Sequence, residues 1–223
     1  MKPATGPTAA VLTAEVLDMR RTSPVPNPLN DLARSGAISQ EHLRSLVIVE
    51  LRNHEPELAA YGILLTRFPQ NPAATYFGRL ASMVYQATPR LLDTIERMGI
   101  TDEDIAAHPA ALPCYSYAGT MSWIALHGSI AGAALAAWVD VDAYYTQTFA
   151  LLDIIESAGI QVPEAFTTYY HNGTPDKWHR SALEVIQYGL DHGDDPREAL
   201  LCGRLMDECI GEFWRAATAL PQR

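Results

Sequence analysis

The 223 residues carry 26 acidic side chains against 16 lysines and arginines, a formal charge of −10 at pH 7. A surface that grips phosphates needs clustered cations, so this balance argues against nucleic-acid binding. The length suffices to bury a core without disulfides or structural metals, and a single helical domain over 1–223 is expected. Cys114, Cys202 and Cys209 are widely spaced and form no CxxC pair, which points to a reducing, cytoplasmic setting.

In chain order, residues 1–7 are rich in Pro and Gly and expected to fray, and 8–21 form a first amphipathic helix. Asn27 and Pro28 suit the N-cap and first position of a short helix that stops at Gly36. Ser39 opens a long helical segment in which Pro56 is expected to kink or divide the helix. Asn71 is placed as the cap of the next helix, with Pro89 as a second kink and Gly99 as its stop. Residues 115–139 contain no Asp, Glu, Lys or Arg and are long enough to span a bilayer. Three glycines, several hydroxyls, His127 and the lack of flanking cationic anchors favour instead one buried helix at the centre of a bundle, with no membrane contact. The small residues of "GSIAGAA" (128–134) are read as close helix packing, not as a phosphate loop. A further helix ends at Gly159, and two more span about 175–190 and 196–218. With no strand alternation and no repeat, the expected fold is an all-α compact bundle of seven or more helices.

Several residues carry chemistry. Glu50 follows four aliphatic residues, a setting that turns a carboxylate toward a bundle's interior, and His54 lies one turn on. The alternative reading of this stretch is a solvated face shared with Arg52, Glu55 and Glu57. In "YYHNGTPDKWH" (169–179), Asp176 and His179 are three apart and share a helical face, with His171 just outside. This cluster is open to three readings: metal binding, metal-free catalysis or substrate binding, and a helix start with Thr174 as cap and Pro175 at the first position. Tyr115, Tyr117, Trp123, Tyr144, Tyr145, Tyr169 and Tyr170 are candidates to line an aromatic pocket. Tyr117, Trp123, Tyr170, His54 and His127 are the substrate-binding candidates among these residues. Cys114 precedes an apolar helix, where a helix N-terminus lowers a thiol pKa, but no histidine nearer than His108 could activate it.

Four stretches in order carry a family resemblance: "NPLNDLARSGAISQEHLRSLVIVEL", "LLDTIERMGI", "AFTTYYHNGTPDKWHRSALEVI" and the "EFW" near the C-terminus. Across about 27–214 the chain resembles the heme-oxygenase-like superfamily, which includes thiaminase-II-like (TenA) proteins, pyrroloquinoline-quinone synthase and iron-containing oxidases. The resemblance implies a biosynthetic, oxidase-type enzyme acting on a small organic molecule, with Glu50 near the family's active-site acid. Asn27 stands where the family has a histidine, and "ASMVYQATPRLL" lacks the Glu and His of the iron oxidases. The preferred reading is therefore metal-independent acid–base and oxygen chemistry, with Glu50, His171, Asp176 and His179 as catalytic residues and no cofactor. The alternatives are an iron oxidase ligated by Glu50, His171, Asp176, His179 and Asp140 or Asp142; a thiaminase-II-like hydrolase; and a non-catalytic small-molecule-binding protein. A homodimer is left open.

Overall fold

The structure is a computed structural model describing residues 6–171 and 175–220. Among these residues the chain forms ten helices and no strand: α1 (Ala9–Thr22), α2 (Pro28–Arg34), α3 (Gln40–Arg67), α4 (Ala73–Arg97), α5 (Asp102–Ala107), α6 (Pro113–His127), α7 (Ile130–Ser157), α8 (Glu164–Tyr170), α9 (Pro175–Asp191) and α10 (Pro196–Ala217). Residues 1–5 and Thr174 fall outside the described residues, so the expected fraying and the expected cap there are not addressed.

Local chemistry explains most of the boundaries. Asn27 caps α2 by accepting from the Asn30 amide at 2.9 Å, with Pro28 at the first position. Ser39 caps α3, and the His42 imidazole accepts from the Ser39 amide at 3.0 Å. Helices α4 and α7 are followed by Gly99 and Gly159, both in the left-handed region that glycine enters without steric cost. Two expectations need correction. Pro56 does not divide α3, which runs through it as α4 runs through Pro89, because one missing backbone bond is outweighed by the burial of a long helix face. Asn71 does not cap α4, which starts without a side-chain cap; its carboxamide oxygen accepts from the Thr75 hydroxyl at 2.6 Å.

The apolar stretch 115–139 is not one helix. Gly128 takes an extended backbone, and Ser129 restarts the chain as the cap of α7, accepting from the Gly132 amide at 3.0 Å. The first ten residues of α7, 130–139, are all buried, whereas α6 leaves Tyr115, Trp123 and Leu126 exposed. The uncharged stretch thus combines a central helix with a peripheral one. No helix among the described residues is long and apolar enough to cross a membrane.

Helix α7 is packed by α9 and α10, while α3 packs against α4 and α6, and α10 closes the bundle against both groups. Small residues let α9 and α10 approach α7, as the sequence pattern indicated. The N-terminal end of α7 is held by acids: Asp194 accepts from the Ala131 amide at 2.8 Å, and Glu198 accepts from the Ser129 amide and hydroxyl. A carboxylate there satisfies backbone donors and opposes the helix dipole. A Cβ on Gly189 would lie 2.3 Å from Asp194 Oδ2 and 2.7 Å from the Ala131 amide nitrogen. Gly189→Ala is therefore expected to lower stability by about 1–3 kcal/mol, read as a lower urea midpoint at unchanged slope.

Candidate functional site

A cavity of about 100 Å³ lies inside the bundle, lined by α3, α4, α6, α7, α8 and α10. Helix α3 supplies Glu50, Asn53, His54 and Glu57. Their spacing of three, four and seven residues keeps them on one helical face, since seven residues make nearly two turns. Tyr117 enters from α6, Asp140, Tyr144 and Tyr145 from α7, and Tyr169 from α8.

Glu50 is held on one oxygen only. The Tyr144 and Tyr169 hydroxyls both donate to its Oε1, each at 3.1 Å, and its Oε2 is buried without a partner. His54 Nε2 lies 2.8 Å from the Tyr169 oxygen and 3.8 Å from Glu50 Oε1, and Nδ1 lies 3.0 Å from Thr88 Oγ1. The protons can be counted. Tyr169 gives its proton to Glu50, so His54 Nε2 must donate to the Tyr169 oxygen. Thr88 Oγ1 reaches both the Val84 carbonyl and Nδ1, so Nδ1 donates to Thr88 when the ring is charged and accepts from it when the ring is neutral. Burial opposes that charge, but the adjacent Glu50 outweighs it, and the His54 pKa is raised overall.

Two further acids face the cavity with few partners. Burial, then the nearby Asp140, pushes the Glu57 carboxyl up to about 8. Burial also pushes Asp140 up to about 7, against the Tyr117 hydroxyl that donates to its Oδ2 at 3.1 Å. Near neutral pH this part of the wall carries protons that carboxyls ordinarily lose. Asp142 does not join it. Two residues along a helix turn a side chain to the opposite side, and Asp142 pairs with Arg20 at 2.5 Å outside the cavity.

The cavity gathers Glu50, His54, Tyr117, Asp140, Tyr144, Tyr145 and Tyr169 from the sequence-derived candidates. The remaining ones lie elsewhere. His171 is exposed, stacked on Phe149, and borders a surface groove with Arg90 and Glu164. Asp176 is exposed, and His179 packs on Trp138 with Nε2 3.7 Å from Asp142. His127 is exposed beside Trp123. Tyr170 is buried behind Tyr169, its ring 4.8 Å away. The iron ligand set Glu50, His171, Asp176 and His179 is thus not assembled at one point. Among the described residues no group of three or more His, Cys, Asp or Glu side chains is placed to hold a metal ion.

Glu57 goes against the solvated-face alternative, being buried in the cavity wall. The signal was available, because Glu57 is in phase with Glu50 while Arg52 and Glu55 are not. Nucleophile candidates fare poorly. None of the three buried cysteines lines the cavity; the Cys114 thiol donates to the Pro109 carbonyl, and burial raises the Cys202 and Cys209 thiols. Ser45 and His108 are 2.8 Å apart, but Arg52 donates to His108 Nδ1, so Nε2 is the donor to Ser45 and cannot take its proton.

No family model and no curated protein matches the chain. Solved structures do. A TenA homologue from Pyrococcus furiosus superposes with a TM-score of 0.73 at 13% identity, covering 92% of this chain and 99% of that one. A TenA homologue from Pseudomonas syringae pv. tomato gives 0.73 at 16% identity, covering 96% and 97%. A TenA-like protein from Sulfolobus solfataricus, described as a candidate thiaminase, gives 0.59 at 15% identity, again over 96% and 97%. At such identities the likeness speaks for architecture alone. The chain therefore has the all-α, heme-oxygenase-like fold of the TenA homologues over most of its length.

Proposed function

We propose that the cavity is the active site of an enzyme that moves protons on a small organic molecule, with Glu50 as the base. The observation that carries this reading is the asymmetry of Glu50: Oε1 is fixed by two phenols, and the buried Oε2 has no partner. A carboxylate held on one oxygen and bare on the other is oriented to accept a proton from a bound molecule. The imidazolium of His54, linked through Tyr169, holds negative charge on Glu50 before transfer. Glu57 and Asp140, protonated near neutrality, can return a proton to the product. Each of these steps uses only side chains of this chain.

In the oxidase form of this reading, a substrate carbanion formed at Glu50 passes two electrons to dioxygen. Dioxygen takes up two protons and leaves as hydrogen peroxide, and the product is the two-electron-oxidised substrate. A hydrolytic form is favoured by the Sulfolobus solfataricus neighbour, described as a candidate thiaminase. Glu50 would then activate water, since no cysteine lines the cavity among the described residues. Two assays separate them: oxygen uptake with a panel of small carbon acids, and loss of thiamin, each repeated with Glu50→Gln. Turnover in either assay that Glu50→Gln leaves intact would remove Glu50 from the mechanism. No turnover in both would turn the reading toward a binding protein.

A further inference from the structure

Two bare oxygens stand side by side on the cavity face of α3. Asn53 is buried, and its Nδ2 donates to the Val49 carbonyl of the same helix at 2.9 Å. A carbonyl can only accept, so the carboxamide cannot be turned over, and Oδ1 is left without a partner among the described residues. Glu50 Oε2 is in the same condition. The two residues are three apart, which makes them neighbours on one helical face. The other polar groups of the wall do not serve these atoms. Tyr144 and Tyr169 donate to Glu50 Oε1, and Tyr117 stands between Asp140 and Glu57. Arg90 lies near enough to Tyr145 for the guanidinium to act on the phenol, and it also lines the outer groove between α4 and α8, which puts this pair on the mouth side of the cavity.

We propose that Glu50 Oε2 and Asn53 Oδ1 together hold one water molecule by both of its hydrogens, that this water is the nucleophile of the active site, and that Asn53 is the residue positioning it. This deepens the hydrolytic form of the reading above and rests on it for the reaction. Two neighbouring acceptors call for a group that donates twice from one atom, and water is the smallest that does. The cavity of about 100 Å³ has room for it, since a buried water needs only about 10–15 Å³ of such space. With both hydrogens held on α3, the oxygen lone pairs turn into the cavity, where Met83, Val84, Ala87, Ile210 and Phe213 shape the space for a carbon skeleton. In the reaction the O–H bond facing Glu50 breaks, and its proton goes to Oε2. The water oxygen's electron pair forms a bond to an electrophilic carbon. The bond from that carbon to its leaving group breaks, with the pair staying on the leaving group. Glu57 or Asp140, protonated near neutrality, gives the leaving group its proton. Glu50 then carries the proton that the acid has lost, and passing it back restores both.

High-resolution diffraction from crystals of the full chain tests the water site directly. One water is expected at about 2.5–3.0 Å from both oxygens. Asn53→Leu should lose it. Asn53→Asp gives up the same bond to the Val49 carbonyl yet keeps an acceptor, so it should retain the water. No water touching both oxygens, or one that Asn53→Leu leaves in place, would overturn the inference. The wild-type chain and Asn53→Asp carry this test if Asn53→Leu does not fold. Turnover of thiamin in ¹⁸O-labelled water tests the attack. The label is expected in the product, with kcat lowered about 10- to 100-fold in Asn53→Leu, largely recovered in Asn53→Asp, and KM little changed. A product without the label, or equal losses in both variants, would remove Asn53 and its water from the reaction. Diffraction is read without turnover, so a chain that holds the water yet never consumes thiamin would refute the hydrolytic reading and leave the water site standing.

Discussion

Replacing Glu50 by Gln is expected to lower kcat by about 10²- to 10⁴-fold while the protein stays folded. Gln has nearly the same shape, and its carboxamide oxygen can still accept from Tyr144 and Tyr169, which hold Glu50 at 3.1 Å each. What disappears is the basic, partnerless Oε2 and the negative charge. The second loss also reaches His54. Its pKa is raised because Glu50 outweighs the cost of burial, so in the variant it should fall. A histidine titration followed by NMR separates this from a simple loss of fold. Steady-state kinetics in whichever assay registers turnover, oxygen uptake or thiamin loss, gives the rate. A change of only a few fold at saturation would mean that the proton goes to another group.

The fold was largely legible because its signals are local. Caps at Asn27 and Ser39 and glycines after α4 and α7 act within a turn of where they stand, so sequence alone places them. The break at Gly128-Ser129 was just as local, but the absence of charge over 115–139 concealed it. An uncharged stretch reports low polarity, not continuity. The exposed apolar face of α6 shows that it does not report burial either.

The site was legible only where helical phase decides. Glu50 and His54 were found because they share a face of α3 beside an aliphatic run; Glu57 lies on that face too, yet its charged neighbours suggested solvent. The choice between Asp140 and Asp142 needed the partner helices, since one faces the cavity and the other meets Arg20. The cluster His171, Asp176, His179, open to three readings in the sequence, shows how proximity along the chain differs from convergence: α8 ends before His171 and α9 begins after it, and the side chains diverge to Phe149, solvent and Trp138. Among the described residues of this stretch, Tyr169 at the end of α8 reaches the cavity, where it bridges Glu50 and His54.

The double substitution Glu57→Gln, Asp140→Asn is expected to stabilise the protein near pH 8, although it removes two acids from the candidate site. Folding raises Glu57 from 4.5 to about 8 and Asp140 from 3.8 to about 7. The folded chain therefore holds protons that the unfolded chain has released, and stability falls as pH rises through that window. Below pH 6.5 the effect is masked. Burial and Arg52 depress His108 from 6.5 to about 4, and burial lowers His42 and His179, so these groups add stability as pH rises. Above 6.5 the opposition ends, and His54, whose pKa is raised, acts with the two acids. Urea midpoints measured between pH 6.5 and pH 8 should fall steeply for the native sequence and more shallowly for the variant. At the upper end the variant should be the more stable by about 2–4 kcal/mol. Parallel slopes would show that the two carboxyls titrate as ordinary surface acids. A steeper native slope would instead fit a pair of acids kept for a ligand, at a cost in stability that the cavity's own groups do not offset.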